Sequence, residues 1–320
     1  MLLGATGLLG RNVLNLLLER GMEVSALVRS NSFDVAAPSL DVCHGSLLNI
    51  EDLRNAAEGC DAIINCAGTT DMSLLHYDDY LPVNKQLCEN LLMLMDELHI
   101  STYVHISTAN TIGYGSASRP GNEDDPMRPP FTRSFYAQSK LEAEKLLAWE
   151  SIQHPERHII VLNPGFMVGA YDSKPSSGKL LLAGYKRRIM ASPSGGKSFV
   201  HVADVATAAV NALSMGRNGE RYLLTNADMS LKDFYAMQAR ICGYSQRFVT
   251  LPALLVALAG RVGDLLRRIG IRTQLSTRNV RQLQVMEYYC SDKARRELGF
   301  PSTPIEDAVR DFFLWYNGTH

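Results

Sequence analysis

Tyr136 and Lys140 stand four residues apart at the head of an apolar-periodic stretch that runs on through Leu141, Ala143, Leu146 and Leu147. On a helix that spacing puts the phenol and the ammonium on one face. A fixed cation beside a phenol favours phenolate and draws its pKa down from about 10 toward working pH. Such a phenol can move a proton on or off a carbinol oxygen, although the spacing alone recurs on ordinary surface helices. Upstream of this pair, the apolar run Tyr103 to Ile106 ends in two hydroxyls, Ser107 and Thr108. At the C-terminal end of a parallel strand they face the ligand crevice. Either could donate to a carbonyl as charge develops on it. Capping of the following turn is the competing role, expected more of Ser107 than of Thr108.

A second constellation opens the chain. Gly4-Ala5-Thr6-Gly7-Leu8-Leu9-Gly10 lies between an apolar strand and an amphipathic helix. Small residues there let the backbone turn tightly and approach a pyrophosphate, whose charge the helix N-terminus meets. The spacing is GxxGxxG rather than GxGxxG, and a plain tight strand-to-helix turn would read similarly. The next apolar run ends at Val28, where an acid would bind the adenosine ribose of NAD and an arginine the 2′-phosphate of NADP. Arg29 stands there, followed by Ser30, Asn31 and Ser32, with no acid before Asp34. That pattern points to NADP; a solvated loop arginine with NAD bound is the alternative.

The elements that must carry these residues alternate. Met22 to Val28, Ala62 to Cys66, Tyr103 to Ser107 and Ile159 to Leu162 read as strands. Helical patterns at Leu9, Val13, Leu16 and Leu17, and at Leu87, Leu91, Leu94 and Leu98, separate them, and Asn49 reads as a helix start. This alternation implies right-handed βαβ units and a parallel sheet. Only Met1 to Leu3 precede the first glycine, which suggests a truncated or renumbered N-terminus. After Pro164 the rhythm breaks into a Gly-, Pro- and Ser-rich stretch with a short helix near Leu180 to Arg187. Phe199 to Val202 and Tyr222 to Leu224 return as strands around an Ala-rich helix at 203–214. The remainder reads as helical, with Ser230 and Asp233 as a capping box. The expected fold is α/β, a doubly wound parallel sheet (Rossmann) with a smaller, mostly helical C-terminal substrate lobe. Residues 1–163 would bind the dinucleotide, with 199–226 returning to that domain, and 164–198 with 227–320 would form the lobe.

Composition excludes several classes. A chain of 320 residues with 46% hydrophobic and 20% charged residues is neither disordered nor collagen-like. A formal charge of −1 leaves no global field for nucleic acid or an anionic membrane. The six cysteines form no CxxC pair and no metal-ligand rhythm, so reduced cysteines in a cytoplasmic protein and no metal are expected. His105 reads as a satisfied core histidine. His76 and Tyr77 could reach a substrate from their loop, and Asp204 reads as a helix cap or anchor. The stretch 252–268, with Leu254, Leu255 and Leu258, could skim a membrane but is expected to pack over the lobe, without stable membrane insertion.

The glycine loop, Asn65-Cys66-Ala67-Gly68, Ile106-Ser107-Thr108, Tyr136 to Lys140 and Asn163-Pro164-Gly165 occur in the order and spacing of the extended short-chain dehydrogenase/reductase family. Ser291 to Gly299 also resembles that family. The likeness is greatest to its dihydroflavonol reductase-like and NAD-dependent epimerase branch. It implies that Tyr136 is the catalytic acid/base, that Lys140 holds the nicotinamide ribose and that Thr108 polarises the substrate. Asn84 would be the helix asparagine that supports the site. Gly4, Thr6, Gly7, Leu8, Leu9 and Gly10 would hold the pyrophosphate. Ala67, Gly68 and Thr69 would lie along the cofactor, and Pro164, Gly165, Phe166 and Met167 would touch the nicotinamide. One departure concerns adenine: the family's aspartate after the third strand is Ser46 here, so contact would fall to Ser46 or the Leu47 backbone. The implied function is NADP-dependent hydride transfer between nicotinamide and a secondary alcohol or ketone. A nucleotide-sugar epimerase that retains its nicotinamide and a non-catalytic NADP sensor are the alternatives. A dehydratase fits less well, since that branch resembles Thr-Asp-Glu where this chain has Thr108-Ala109-Asn110. The implied partner is a small-molecule substrate, with a homodimer left open.

Overall fold

The computed structural model describes residues 1–29, 33–173 and 177–319; Ser30, Asn31 and Ser32, which follow Arg29 in the sequence, lie outside them. In chain order the first half comprises β1 (Leu2–Leu3), α1 (Leu8–Glu19), β2 (Val24–Val28), β3 (Leu40–His44), α2 (Ile50–Ala57) and β4 (Ala62–Asn65). A π-helical turn at Pro82–Gln86 leads into α3 (Leu87–Glu97), then β5 (Thr102–Ile106), α4 (Phe135–Gln153) and β6 (His158–Pro164). There follow β7 (Phe166–Val168), α5 (Gly178–Gly184), β8 (Ile189–Ser192), β9 (Gly196–His201), α6 (Val202–Met215) and β10 (Arg221–Leu224). The last part holds β11 (Ala227–Ser230), α7 (Leu231–Ile241), β12 (Arg247–Thr250) and α8 (Ala253–Arg268). It closes with α9 (Thr277–Gln282), β13 (Met286–Glu287), α10 (Asp292–Leu298) and α11 (Ile305–Thr319).

Seven of these strands form one parallel sheet in the order β10-β6-β5-β4-β1-β2-β3. β1 sits where the winding reverses, Leu2 pairing with Ala26 on one side and Ile64 on the other. Ligands bind such sheets in the crevice beyond the strand ends at that reversal. The alternation of a strand is visible even in two residues. Leu2 is buried with Val13 and Leu14 of α1 and Val205 and Ala209 of α6. Leu3 is buried in the opposite layer with Leu53, Leu87, Leu91 and Leu147. Sequence and structure agree on this Rossmann architecture, and β10 rejoins the main sheet beside β6 in parallel register.

The C-terminal region contains more strand than expected. β9 pairs with β7, β11 and β13, and β12 pairs with β8. These strands are two to six residues long, too short for period-2 alternation to stand out in sequence. Their core is aromatic, with Phe199 stacked on Phe234 at 4.3 Å between centroids. Asn49 and Ser230 cap α2 and α7 as read from the sequence. The stretch 252–268 packs on its neighbours as expected, but not through Leu254, Leu255 and Leu258, which are exposed. α8 packs instead through glycines, for a Cβ on Gly260 would lie 2.7 Å from Val280 and one on Gly263 2.2 Å from the Leu275 carbonyl.

Candidate active site

Gly4 and Gly10 shape the first end of the site. Gly4 adopts φ +80°, and a Cβ there would sit 2.8 Å from the Ala67 nitrogen. A Cβ on Gly10 would lie 2.0 Å from the Gly4 carbonyl oxygen. The loop therefore presses against both β4's end and α1. Gly7 caps α1 without any side-chain bond, so the helix's first N–H groups face outward into a cleft of about 440 Å³. Gly4, Thr6, Gly7, Leu8, Leu9 and Gly10 all line it. Ala67, Gly68 and Thr69 continue the wall, and Tyr136, Lys140, Ser107 and Met167 close the far end. A bare main-chain cradle at a helix start, in a cleft reaching a buried ammonium, fits a nicotinamide dinucleotide.

Arg29 is exposed at the rim of this cleft, directly after β2. The next acid, Asp34, is engaged elsewhere: it forms an ion pair with Arg11 at 2.8 Å. The hydrogen bond and charge of Arg11 hold its carboxyl below the usual range. Just beyond β3, Ser46 and Leu47 line the cleft, but the Ser46 N–H is taken by Asp52 Oδ2 at 2.7 Å. Asp52 lies so close to Gly45 that a Cβ there would fall 2.6 Å from its side chain.

At the far end, Ser134 caps α4 by accepting from the Ala137 N–H, which sets Tyr136 in the first turn and Lys140 one turn later. Lys140 is buried, and its Nζ donates to the Ile106 carbonyl at 2.6 Å and to His105 Nε2 at 3.0 Å. Burial, then the Lys140 charge, push His105 well below the ordinary histidine range. The imidazole is neutral, so Nε2 accepts and Nδ1–H donates to the Tyr103 hydroxyl at 3.1 Å. Tyr103 also receives Asn65 Nδ2 at 3.1 Å and donates to the Cys88 sulfur at 3.4 Å. His105 is thus a satisfied core histidine that also holds the candidate catalytic ammonium. Two of the three ammonium protons are engaged by protein acceptors, which leaves one toward the cleft.

The expected downward pull on the phenol is not what this arrangement does. Burial pushes Tyr136 up to about 12; a hydrogen bond with Thr108 acts downward and the Glu144 charge upward. Lys140 is directed at Ile106 and His105 instead, and burial lowers its own pKa.

The hydroxyl pair divides its work differently from the expectation. Ser107 donates to Glu144 Oε1, which also accepts from Thr111 Oγ1 at 2.6 Å and Asn163 Nδ2 at 2.7 Å. Arg221 reaches the other carboxylate oxygen at 3.3 Å. The capping role falls to Thr108, whose Oγ1 accepts from the Asn110 N–H at 3.3 Å, because Glu144 has claimed Ser107. Thr108 is nonetheless the hydroxyl that meets Tyr136. It shares a small cavity of about 140 Å³ with Pro164, Gly165 and Phe166, whereas Met167 lines the main cleft.

Asn84 lies behind the wall rather than in it. Fully buried in the π-helical turn, it accepts from the Thr69 N–H at 2.8 Å and donates to Ser139 Oγ at 2.9 Å, tying the loop after β4 to α4. A larger cavity of about 1260 Å³ adjoins α4 at Phe135 and Gln138 and reaches His76, Arg267 and Arg278. Tyr77 packs edge-on to Phe135. Asp204 anchors the chain before α11 by accepting from the Thr303 N–H at 2.8 Å and its hydroxyl at 2.7 Å. Among the described residues no cluster of His, Cys, Asp and Glu could hold a metal. Sequence reading missed Glu144 and the part His105 plays; the available signal was that Glu144 stands one further turn along the Tyr136–Lys140 face.

The chain is 28% identical over 98% of its length to a putative dihydroflavonol 4-reductase from Synechocystis sp., covering 93% of that protein. It is 27% identical, over 98% of its length and 96% of the relative's, to sterol demethylase protein B from Methylococcus capsulatus. The crystal structure of gox2253 superposes with a TM-score of 0.83 at 27% identity, covering 99% of this chain and 97% of that one. Residues 1–225, which hold the glycine cradle, the buried lysine and the tyrosine beside Thr108, match the NAD-dependent epimerase/dehydratase family model. The chain therefore belongs to that family, within the extended short-chain dehydrogenases/reductases, and is an NAD(P)-dependent enzyme.

Proposed function

We propose that the chain is an NADP-dependent reductase that turns a ketone on a hydrophobic ring substrate into a secondary alcohol. The observation that carries this reading is the placement of the Tyr136 phenol, beside Thr108 and on the cleft wall it shares with Lys140. A protonated phenol is what carbonyl reduction consumes, since the oxygen gains a proton as carbon gains hydride. The nicotinamide would supply that hydride. Thr108 would hold the carbonyl oxygen by hydrogen bond, and Lys140 would offer its remaining N–H to the cofactor ribose. Asn84 and His105 would keep the Thr69 loop and the ammonium in place. Arg29 supports the phosphorylated cofactor, since no described acid competes with it at the end of β2. The relatives named for a dihydroflavonol and a sterol support a ring ketone, and the roomy cavity beside Phe135 could hold one.

The test is consumption of NADPH and NADH by the purified chain on ring ketones and on nucleotide sugars, with the nucleotide released on denaturation identified. NADPH oxidation on a ring ketone is the expected result. Tightly bound NAD and sugar interconversion without net cofactor consumption would overturn it in favour of the epimerase alternative.

A further inference from the structure

Among the described residues of 254–275, eight large apolar side chains stand in water. Leu254, Leu255, Leu258, Val262, Leu265 and Ile269, each 50–79% exposed, recur at helical spacing along α8 and past its end. Ile271 and Leu275 extend the patch. The opposite face of α8 is its packing face: Gly260 and Gly263 seat directly on Val280 and the Leu275 backbone. The leucines are therefore surplus to folding. Scattered surface apolar residues need no explanation, but a continuous stripe of this kind marks a contact surface.

Charge says what covers it. Residues 247–281 contain seven arginines against one aspartate, in a chain whose formal charge is −1. Arg261 and Arg272 are exposed within the apolar stretch, while Asp264 is occupied in accepting from the Thr277 N–H at 3.0 Å. A helix with leucines on one side and arginines flanking them suits the headgroup boundary of an anionic bilayer, where it lies in the plane rather than crossing. None of the described helices is long and apolar enough to cross.

The patch is also tied to the loop after β4 and to the larger cavity. Arg267 of α8 donates to the Ser73 carbonyl at 3.2 Å and the Thr273 carbonyl at 2.9 Å, and to the Leu74 carbonyl. Asp264, Arg267, Arg268 and Gly270 line the 1260 Å³ cavity whose other wall is Phe135 and Gln138. We infer that α8 and the residues following it dock this protein peripherally on anionic phospholipid, with the substrate cavity opening at the docked edge, so that a lipophilic ketone can enter from the bilayer. Entry from the bilayer rests on the proposed ring-ketone function; docking does not.

Co-sedimentation of the full chain with vesicles tests it. One set is phosphatidylcholine, the other an equimolar mixture with phosphatidylglycerol. Binding to the mixed vesicles, weakened by salt, is expected. A triple variant Leu254→Gln, Leu258→Gln, Leu265→Gln should lose roughly tenfold or more in that binding while keeping wild-type turnover of a water-soluble ketone. Arg261→Glu and Arg272→Glu together should erase the preference for anionic vesicles, with roughly a fivefold loss per arginine removed. Absence of vesicle binding by wild type would overturn the inference. So would a wild-type dimer, by analytical ultracentrifugation, that the triple variant converts to monomer, since the patch would then serve a second copy. Vesicle binding without turnover of any ketone would count against the reductase reading and leave the docking intact.

Discussion

The bond from Lys140 Nζ to His105 Nε2 can be removed without emptying the core. His105→Phe keeps a planar ring in the strand but withdraws the acceptor from a buried ammonium. A hydrogen bond to a charged group contributes about 1.5–3 kcal/mol net, and about 1.4 kcal/mol is a decade in an equilibrium or rate constant. If the lost bond costs the ammonium its working position, turnover should fall by roughly ten- to a hundredfold. The Michaelis constant for the cofactor should rise as well. Tyr103 keeps Asn65 and Cys88 as partners, so the remaining network stays satisfied. The sign of the pH effect follows from the same bond. Burial already lowers the Lys140 pKa, and the neutral imidazole opposes that by stabilising the charged form. Removing it lowers the pKa further, so the alkaline limb of kcat against pH should move to lower pH. His105→Gln, which retains an acceptor oxygen, should recover part of both. Steady-state kinetics across pH, paired with thermal melts, separate this from damage to folding. A His105→Phe protein with a lower melting temperature but wild-type kcat and an unmoved alkaline limb would refute the reasoning and leave His105 a core residue only.

Tyr136→Phe should cut turnover by roughly two to four orders of magnitude while NADPH still binds, read by fluorescence titration. Because the phenol is pushed up to about 12, the protonated form dominates at neutral pH, so wild-type reduction should be nearly flat there while alcohol oxidation rises with pH. Thr108→Ala should lower kcat more than Ser107→Ala, and Thr108→Ser should be mild; Ser107→Ala should appear mainly as lost thermal stability, since its hydroxyl serves buried Glu144. The reverse ranking in kcat would exchange their roles. Arg29→Ala should weaken NADPH by roughly 10- to 100-fold, the loss of one charge-assisted bond of about 1.5–3 kcal/mol, and leave NADH nearly unchanged. Equal ratios of the two dissociation constants in wild type and variant would make Arg29 a solvated loop residue.

Local chemistry was enough for much of this protein. The glycines at 4 and 10 are legible because only glycine survives a backbone packed against another backbone: Gly10 meets Gly4 within the same loop, and Gly4 meets the end of β4 at Ala67. The Rossmann sheet is legible because strands buried on both faces read as apolar runs separated by helical periods. Tyr136 and Lys140 are legible because four residues make one helical turn. What Lys140 touches is not local: His105 arrives from β5, a neighbour only once α4 packs across the sheet. The same holds for Glu144, which takes Ser107 from the end of β5, Asn163 from β6 and Arg221 from β10, and so leaves Thr108 to meet the phenol. Burial likewise sets the Tyr136 pKa against the direction that a tyrosine–lysine spacing alone implies. The outward leucines of α8 make the point in reverse. Their helical period is plain in sequence, but whether such a stripe faces a core or water depends on which face the neighbouring chain occupies, and here the glycines took it.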